Sequence, residues 1–208
     1  MTPVQIAART EQFLQSVQLP VLAPFLADWP RTYQCRTVAA GGLPVLRWLS
    51  TIATDPAAFG ADVVSALCEA APSLAWRQSY TLKDLESAFL DNYGWTEIMG
   101  LSGPVASERI ACGFLLLGPF THYPHHHHEA EEFYLPLSGT AAWQQGEAPW
   151  QERPPGAAIH HISGESHAMR TGAGPLLALY LWRSANLAQK AQLAGSEAKT
   201  RQLRGAKV

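Results

Sequence analysis

Residues 121–135 of the chain read THYPHHHHEAEEFYL and hold five of its eight histidines. All eight lie between His122 and His167 of a 208-residue sequence. Histidines placed only for packing would not gather in one stretch of this kind. Imidazole is the commonest protein ligand for transition metals, and carboxylate often accompanies it. The stretch, with Glu132 close behind the histidines, therefore predicts a metal centre.

The spacing of these residues makes the prediction more specific. His126-x-His128-x3-Glu132-x6-Gly139 reproduces the first signature of the cupin superfamily. The frame His125-x-His127-x4-Glu132 also fits the general cupin pattern. Side chains alternate faces along a strand, so His126 and His128 share a face, as do Glu132 and Tyr134. We favour the first frame. A turn before Glu132 would break this alternation, so parity does not decide between the frames.

A second cupin signature follows about 30 residues later. Pro154-Pro155-Gly156 and then Gly164-x-x-His167 resemble it in order and in residue type. The resemblance implies a small double-stranded β-barrel in which three histidines and one glutamate point inward and leave metal positions open. The GxxH context makes His167 a predicted ligand. We interpret Glu129 and Glu131 as solvent-facing side chains or as partners of the ligands.

Composition narrows the class of protein. The net charge is -2, which favours neither nucleic-acid binding nor an acidic partner. Three separate cysteines without a CxxC pair fit a reducing compartment. The N-terminus lacks a signal-peptide pattern, and no apolar run reaches the roughly 18 residues of a membrane span. We therefore expect a cytoplasmic protein that binds neither nucleic acid nor a membrane.

The pattern along the chain divides it into three regions. Residues 1–93 are predicted to be a helical N-terminal region, 94–183 a β-barrel, and 184–208 a C-terminal helix or loose tail. One predicted helix spans 57–71, with Asp55 as its cap and Pro56 at its first position, and another spans 82–90. Short segments with Gly and Pro punctuation then indicate a sandwich or barrel. The strands are predicted at 95–100, 110–119, 132–137, 140–144, 157–162, 167–171 and 176–182. The predicted fold class is mainly β, a single-domain cupin jelly roll with the helical half packed on it.

The chain also resembles the cupin-type dimethylsulfoniopropionate lyases. The resemblance rests on Tyr123-x-x-His126-x-His128-x3-Glu132-x-Tyr134, on residues 167–171 (HAMRT), and on residues 89–100 at the entry to the barrel. It implies a carbon–sulfur lyase that yields dimethyl sulfide and acrylate. By matched position the metal ligands would be His126, His128, Glu132 and His167. Tyr134 would be the general base and Tyr123 a second catalytic or substrate-contacting tyrosine.

This chemistry is consistent with the residue types. The substrate would be a small zwitterion with a carboxylate and a sulfonium group. A divalent metal ion that binds the carboxylate would stabilise the enolate-like transition state, and zinc, iron, manganese, nickel and cobalt suit the ligand set equally. A nearby cation lowers the pKa of a tyrosine from about 10, which makes Tyr134 a better base. Tyr180 and Trp182 alternate on the last predicted strand, where they either offer aromatic faces to the sulfonium or fill the barrel core.

Other functions fit the same motif. A lyase acting on a related small carboxylate, or a cupin dioxygenase or isomerase, would use the same open metal positions. The pair Tyr123 and Tyr134 favours elimination, because dioxygenation does not require it. A non-catalytic sensor cupin ranks lowest, since the N-terminal half is not basic. We expect a homodimer.

Overall fold

The structure is a computed structural model that describes residues 1–52 and 57–194. Within these residues it contains twelve strands and four α-helices. The helices are α1 (Pro3–Val17), α2 (Ala23–Ala27), α3 (Ala61–Ala70) and α4 (Ser87–Leu90). The strands are β1 (Trp76–Arg77), β2 (Tyr93–Gly100), β3 (Val105–Ala106), β4 (Ile110–Leu117), β5 (His122–His127), β6 (Glu131–Ser138), β7 (Ala141–Gln145), β8 (Gln151–Arg153), β9 (Ile159–His161), β10 (His167–Thr171), β11 (Leu176–Arg183) and β12 (Gln192–Leu193). Three 3₁₀ segments connect them at Pro20–Leu22, Pro44–Thr51 and Ala71–Ser73.

Two sheets form the barrel. The larger has seven strands in the order β1-β2-β4-β11-β6-β9, with β3 paired in parallel to β2 and all other pairs antiparallel. The smaller has five antiparallel strands in the order β12-β5-β10-β7-β8. The mainly β, cupin-type fold class predicted from the sequence is thereby confirmed.

The larger sheet is buried on both faces, and its sequence explains why. Strand β4 reads IACGFLLL and every residue in it is buried, as is typical of a strand covered on both sides. Phe114 and Leu116 belong to a core cluster with the helices, whereas Leu115 and Leu117 belong to a second cluster inside the barrel. The N-terminal helices therefore pack on the outer face of this sheet.

The same alternation directs the polar side chains of β6 and β11. Phe133 and Leu135 join the cluster with the helices, and Tyr134 faces the barrel interior. On β11, Leu179 and Leu181 face the helices. The side chains that alternate with them, which include Tyr180 and Trp182, face inward. A period of two along each strand thus collects the candidate functional side chains in one cavity.

The structure corrects several predicted elements. The helix predicted over 57–71 is shorter, because Gly60 ends the preceding turn in a left-handed conformation (φ 68°) and α3 begins at Ala61. The predicted cap Asp55 and the following Pro56 lie outside the described residues. The helix predicted over 82–90 is confined to α4, preceded by a turn that the Asp84 carboxylate closes onto Thr81.

The first part of the predicted C-terminal region, residues 184–194, contains no helix. Residues 187–191 line the cavity of the barrel, and β12 then pairs with β5. Residues 195–208 lie outside the described part of the chain. Among the described residues, no helix has the length and hydropathy required to cross a bilayer.

Candidate metal centre and active site

The four predicted metal ligands come from both sheets and from the turn between them. His126 lies on β5 and His167 directly opposite it on β10. His128 follows the end of β5, and Glu132 lies on β6. All four side chains are buried, which for a charged carboxylate requires strong partners.

Three of these side chains converge on one point. The Nε2 atom of His128 lies 2.9 Å from Oε2 of Glu132, and Nε2 of His167 lies 3.1 Å from the same oxygen. One ligand atom from each of the three residues lies within 4.8 Å of the others. The approach of His167 lacks hydrogen-bond geometry, so its buried Nε2 has no hydrogen-bond partner within residues 1–52 and 57–194.

Backbone carbonyls explain why the Nε2 atoms face this point. In each histidine Nδ1 lies within hydrogen-bond distance of a carbonyl two residues away, and a carbonyl can only accept. Nδ1 therefore carries the hydrogen, and in the neutral ring Nε2 keeps its lone pair. The contacts are His126 to Pro124 (2.9 Å), His128 to Ala130 (2.8 Å) and His167 to Glu165 (3.0 Å).

This arrangement fits a cation. Two imidazole lone pairs and one carboxylate oxygen repel one another unless a proton or a metal ion lies among them. Burial disfavours the charged form of Glu132, but His128 and His167 outweigh it and hold the pKa of the carboxyl well below its usual range. Burial also opposes a charge on His128, yet the Glu132 carboxylate raises the pKa of that imidazole. The donor set, imidazole nitrogen and carboxylate oxygen, suits a divalent transition metal ion.

His126, the first residue of the predicted frame, lies beside this group. Its ring stacks on Tyr123 with centroids 4.0 Å apart, and its centroid lies 4.2 Å from that of His167. Burial, and then the neighbouring His167, lower the pKa of His126 well below its ordinary value, which keeps it neutral as a ligand must be. Its ligand atom is not within the convergent group of three.

The convergent group does not include His125, His127 or His160. Both ring nitrogens of His125 contact side chains, Ser166 at 3.1 Å and Gln144 at 2.9 Å, so the alternative frame does not bring His125 to Glu132. His127 is half-buried. His160 contacts Glu131 at 2.9 Å and Arg183 contacts the same carboxylate at 3.2 Å, so Glu131 is a partner of these two residues rather than of the ligands.

His161 is a buried residue near the centre that the cupin motif does not include. Its ring stacks on His167 with centroids 3.9 Å apart. Its Nδ1 faces Glu165 and its Nε2 has no hydrogen-bond partner among the described atoms. Alternation along β9, which places His161 opposite Glu132, is the signal that would have found it.

Two tyrosines predicted to take part in catalysis lie in the same cavity. Tyr134 follows Glu132 by two residues on the same face of β6, and its ring centroid lies 6.4 Å from that of His167. Burial raises the pKa of Tyr134 well above its ordinary value, and the Glu132 carboxylate raises it further. The hydroxyl of Tyr123 lies 3.1 Å from that of Tyr80, a residue that no sequence motif indicated.

The cavity has a volume of about 330 Å³, and residues 187–191 form part of its lining. Aromatic side chains line much of it, including Trp95, Tyr180 and Trp182. Trp182 was predicted either to offer an aromatic face to the substrate or to fill the barrel core, and its place in the cavity lining fits the first role. Its indole Nε1 also donates a hydrogen bond of 2.5 Å to Oε1 of Glu132.

The fold and the inward-facing His and Glu side chains define a cupin barrel with a metal-type ligand set. The chain belongs to the dimethylsulfoniopropionate lyase family, because the model of that family matches residues 31–178. It is 36% identical to dimethylsulfoniopropionate lyase DddQ of Ruegeria pomeroyi over 108 residues. That alignment covers 52% of this chain and 54% of the relative, so it spans about half the length of each protein.

Solved structures extend the likeness over nearly the whole chain. A chain from the crystal structures of the DMSP lyases RdDddP and RnDddQII superposes with a TM-score of 0.82 at 30% identity, covering 92% of this chain and 97% of the other. The crystal structure of DddQ from Ruegeria pomeroyi gives a TM-score of 0.81 at 27% identity, covering 92% and 95% of the two chains.

Proposed function

We propose that the protein is a metal-dependent carbon–sulfur lyase that cleaves dimethylsulfoniopropionate to dimethyl sulfide and acrylate. The observation that carries the proposal is the convergence of His128 and His167 on one oxygen of Glu132, in a cavity that Tyr134 also lines. Membership of the dimethylsulfoniopropionate lyase family supports the choice of substrate.

In this proposal His126, His128, Glu132 and His167 hold one divalent transition metal ion. When bound, such an ion would act as a Lewis acid toward the substrate carboxylate and favour negative charge on it during proton loss. The ligand side chains are oriented in advance. Backbone carbonyl contacts hold the three imidazoles in the tautomer that coordinates through Nε2.

Tyr134 acts as the general base. Its phenolate takes the proton from the carbon next to the carboxylate, that electron pair forms the new C=C bond, and the C–S bond breaks. Dimethyl sulfide leaves with the bonding electrons, which neutralises the sulfonium, and the proton stays on the tyrosine. Burial and Glu132 oppose the phenolate, so the base requires a compensating positive charge.

The other aromatic side chains bind and orient the substrate. A sulfonium cation gains roughly 0.5–2 kcal/mol from an aromatic face. Tyr180 and Trp182 line the cavity with such faces and exclude water from it. Tyr123 stacks on the ring of His126 and so supports this ligand, and we propose that its hydroxyl also contacts the substrate.

Headspace detection of dimethyl sulfide after addition of dimethylsulfoniopropionate to metal-loaded protein tests the function. We expect turnover by the wild type and a loss of about 10²–10⁴-fold in Tyr134→Phe, the usual contribution of a general base, with metal content unchanged. Retained turnover in Tyr134→Phe would remove this residue as the base. No dimethyl sulfide from the wild type with any of the five metals would refute the proposed substrate.

A further inference from the structure

Trp182 contacts two of the proposed metal ligands, Glu132 and His128, and the proposed reaction assigns no role to these contacts. It lies on β11 directly opposite Glu132 on β6, and both side chains face the barrel interior. Its indole Nε1 donates to Oε1 of Glu132 at 2.5 Å. Glu132 is only 1% exposed, so water cannot readily replace this donor.

The two carboxylate oxygens of Glu132 therefore have separate partners. Oε1 accepts from Trp182, whereas His128 and His167 approach Oε2. A carboxylate held in this way cannot rotate freely about its terminal bond, and only Oε2 is directed at the point where the ligand atoms meet.

The same indole also contacts a second ligand residue. Its ring packs against that of His128 with centroids 4.2 Å apart and planes inclined by 32°. Nδ1 of His128 is held by the Ala130 carbonyl, so the imidazole is fixed from its edge and from its face. One side chain on β11 thus touches two of the three convergent residues.

We propose that Trp182 is a positioning residue that restricts Glu132 to coordination through one oxygen and so sets the affinity and the geometry of the metal site. This inference rests on the proposed metal dependence. Loss of a hydrogen-bond partner of a metal ligand typically costs 10–100-fold in metal affinity. Phenylalanine at this position would keep an aromatic ring beside His128 and remove the N–H donor.

Binding of Co²⁺ to Trp182→Phe tests the proposal, because Co²⁺ reports both its affinity and its coordination geometry. We expect about 10–100-fold weaker Co²⁺ binding in competition with a chelator, and a changed visible absorption spectrum as Glu132 gains a second free oxygen. The matched control is Trp48→Phe, which removes an indole donor from Asn92 in a half-buried site outside the cavity. This control should bind Co²⁺ as the wild type does.

A measurement on the wild type covers the case in which Trp182→Phe does not fold. In protein labelled with ¹⁵N-tryptophan, one of the seven indole N–H signals should shift when Zn²⁺ is added. Wild-type affinity and spectrum in a folded Trp182→Phe would overturn the positioning role while leaving the metal site intact, and so would a wild type that binds Zn²⁺ without a shift of any indole signal. A wild type that binds neither ion would instead refute the metal site on which the inference rests.

Discussion

The two sheets of the barrel contribute different kinds of side chain to the site. The seven-stranded sheet supplies Glu132, Tyr134 and Trp182 from strands that are covered by helices on one face and by the cavity on the other. The five-stranded sheet supplies His126 and His167 from strands that, within the described part of the chain, add no residue to the cluster with the helices. On β5 only Tyr123 and His126 are buried, whereas on β4 every residue is buried.

This difference indicates how the protein keeps a charged group in its interior. Glu132 would be costly to bury alone, and His128, just after β5, and His167, at the start of β10, offset that cost. The centre therefore forms only when the two sheets meet in the correct register. Removing a histidine should affect the site and spare the fold, whereas removing a core residue of the larger sheet should affect the fold as a whole.

The largest expected effect comes from His128→Ala. This change removes a nitrogen that lies 2.9 Å from Glu132 and leaves the buried carboxylate with one histidine partner fewer. We expect the variant to lose stoichiometric metal and with it detectable dimethyl sulfide production. Elemental analysis of the purified variant and the headspace assay measure the two effects.

His125→Ala is the matched control, three residues away in the same histidine run. Its ring nitrogens contact Ser166 and Gln144 rather than Glu132, so metal content should stay at the wild-type level. Metal retained in His128→Ala and lost in His125→Ala would instead support the frame of His125 and His127.

A core substitution in the larger sheet should give the next largest effect. Phe114 on β4 is fully buried in the cluster shared with the helices. Phe114→Ala leaves a cavity there and should lower the free energy of unfolding by about 3–5 kcal/mol. Glu152→Ala on the exposed edge strand of the smaller sheet should change it by no more than about 0.5 kcal/mol. Urea unfolding of both variants measures this contrast, and equal losses would contradict the proposed division between the sheets.

Spacing along the chain was sufficient to predict that two of the candidate ligands lie side by side. His128 and Glu132 meet because a short turn joins their strands, and a motif with fixed spacing captures that geometry. Strand β5 itself was not predicted, because its sequence HYPHHH contains Pro124 and no β-branched residue. The contact of Trp182 with Glu132 links residues 50 positions apart and depends on the register of two strands, which periodicity does not give. The hydroxyl contact between Tyr80 and Tyr123 likewise depends on a loop whose path the sequence does not specify.

The smallest effects should distinguish two glycines that belong to the two cupin signatures. Gly139 and Gly164 have the same left-handed conformation, with φ of 78°. An added Cβ at Gly164 would meet open space, whereas at Gly139 it would lie 2.0 Å from the Pro175 carbonyl oxygen. Gly164→Ala should therefore cost about 1–2 kcal/mol from backbone conformation alone, and Gly139→Ala about 1–3 kcal/mol more, because the backbone after β6 must move. Equal unfolding free energies for the two variants would show that the backbone at the end of β6 moves as easily as the loop before β10, despite the close approach of Pro175 to Gly139.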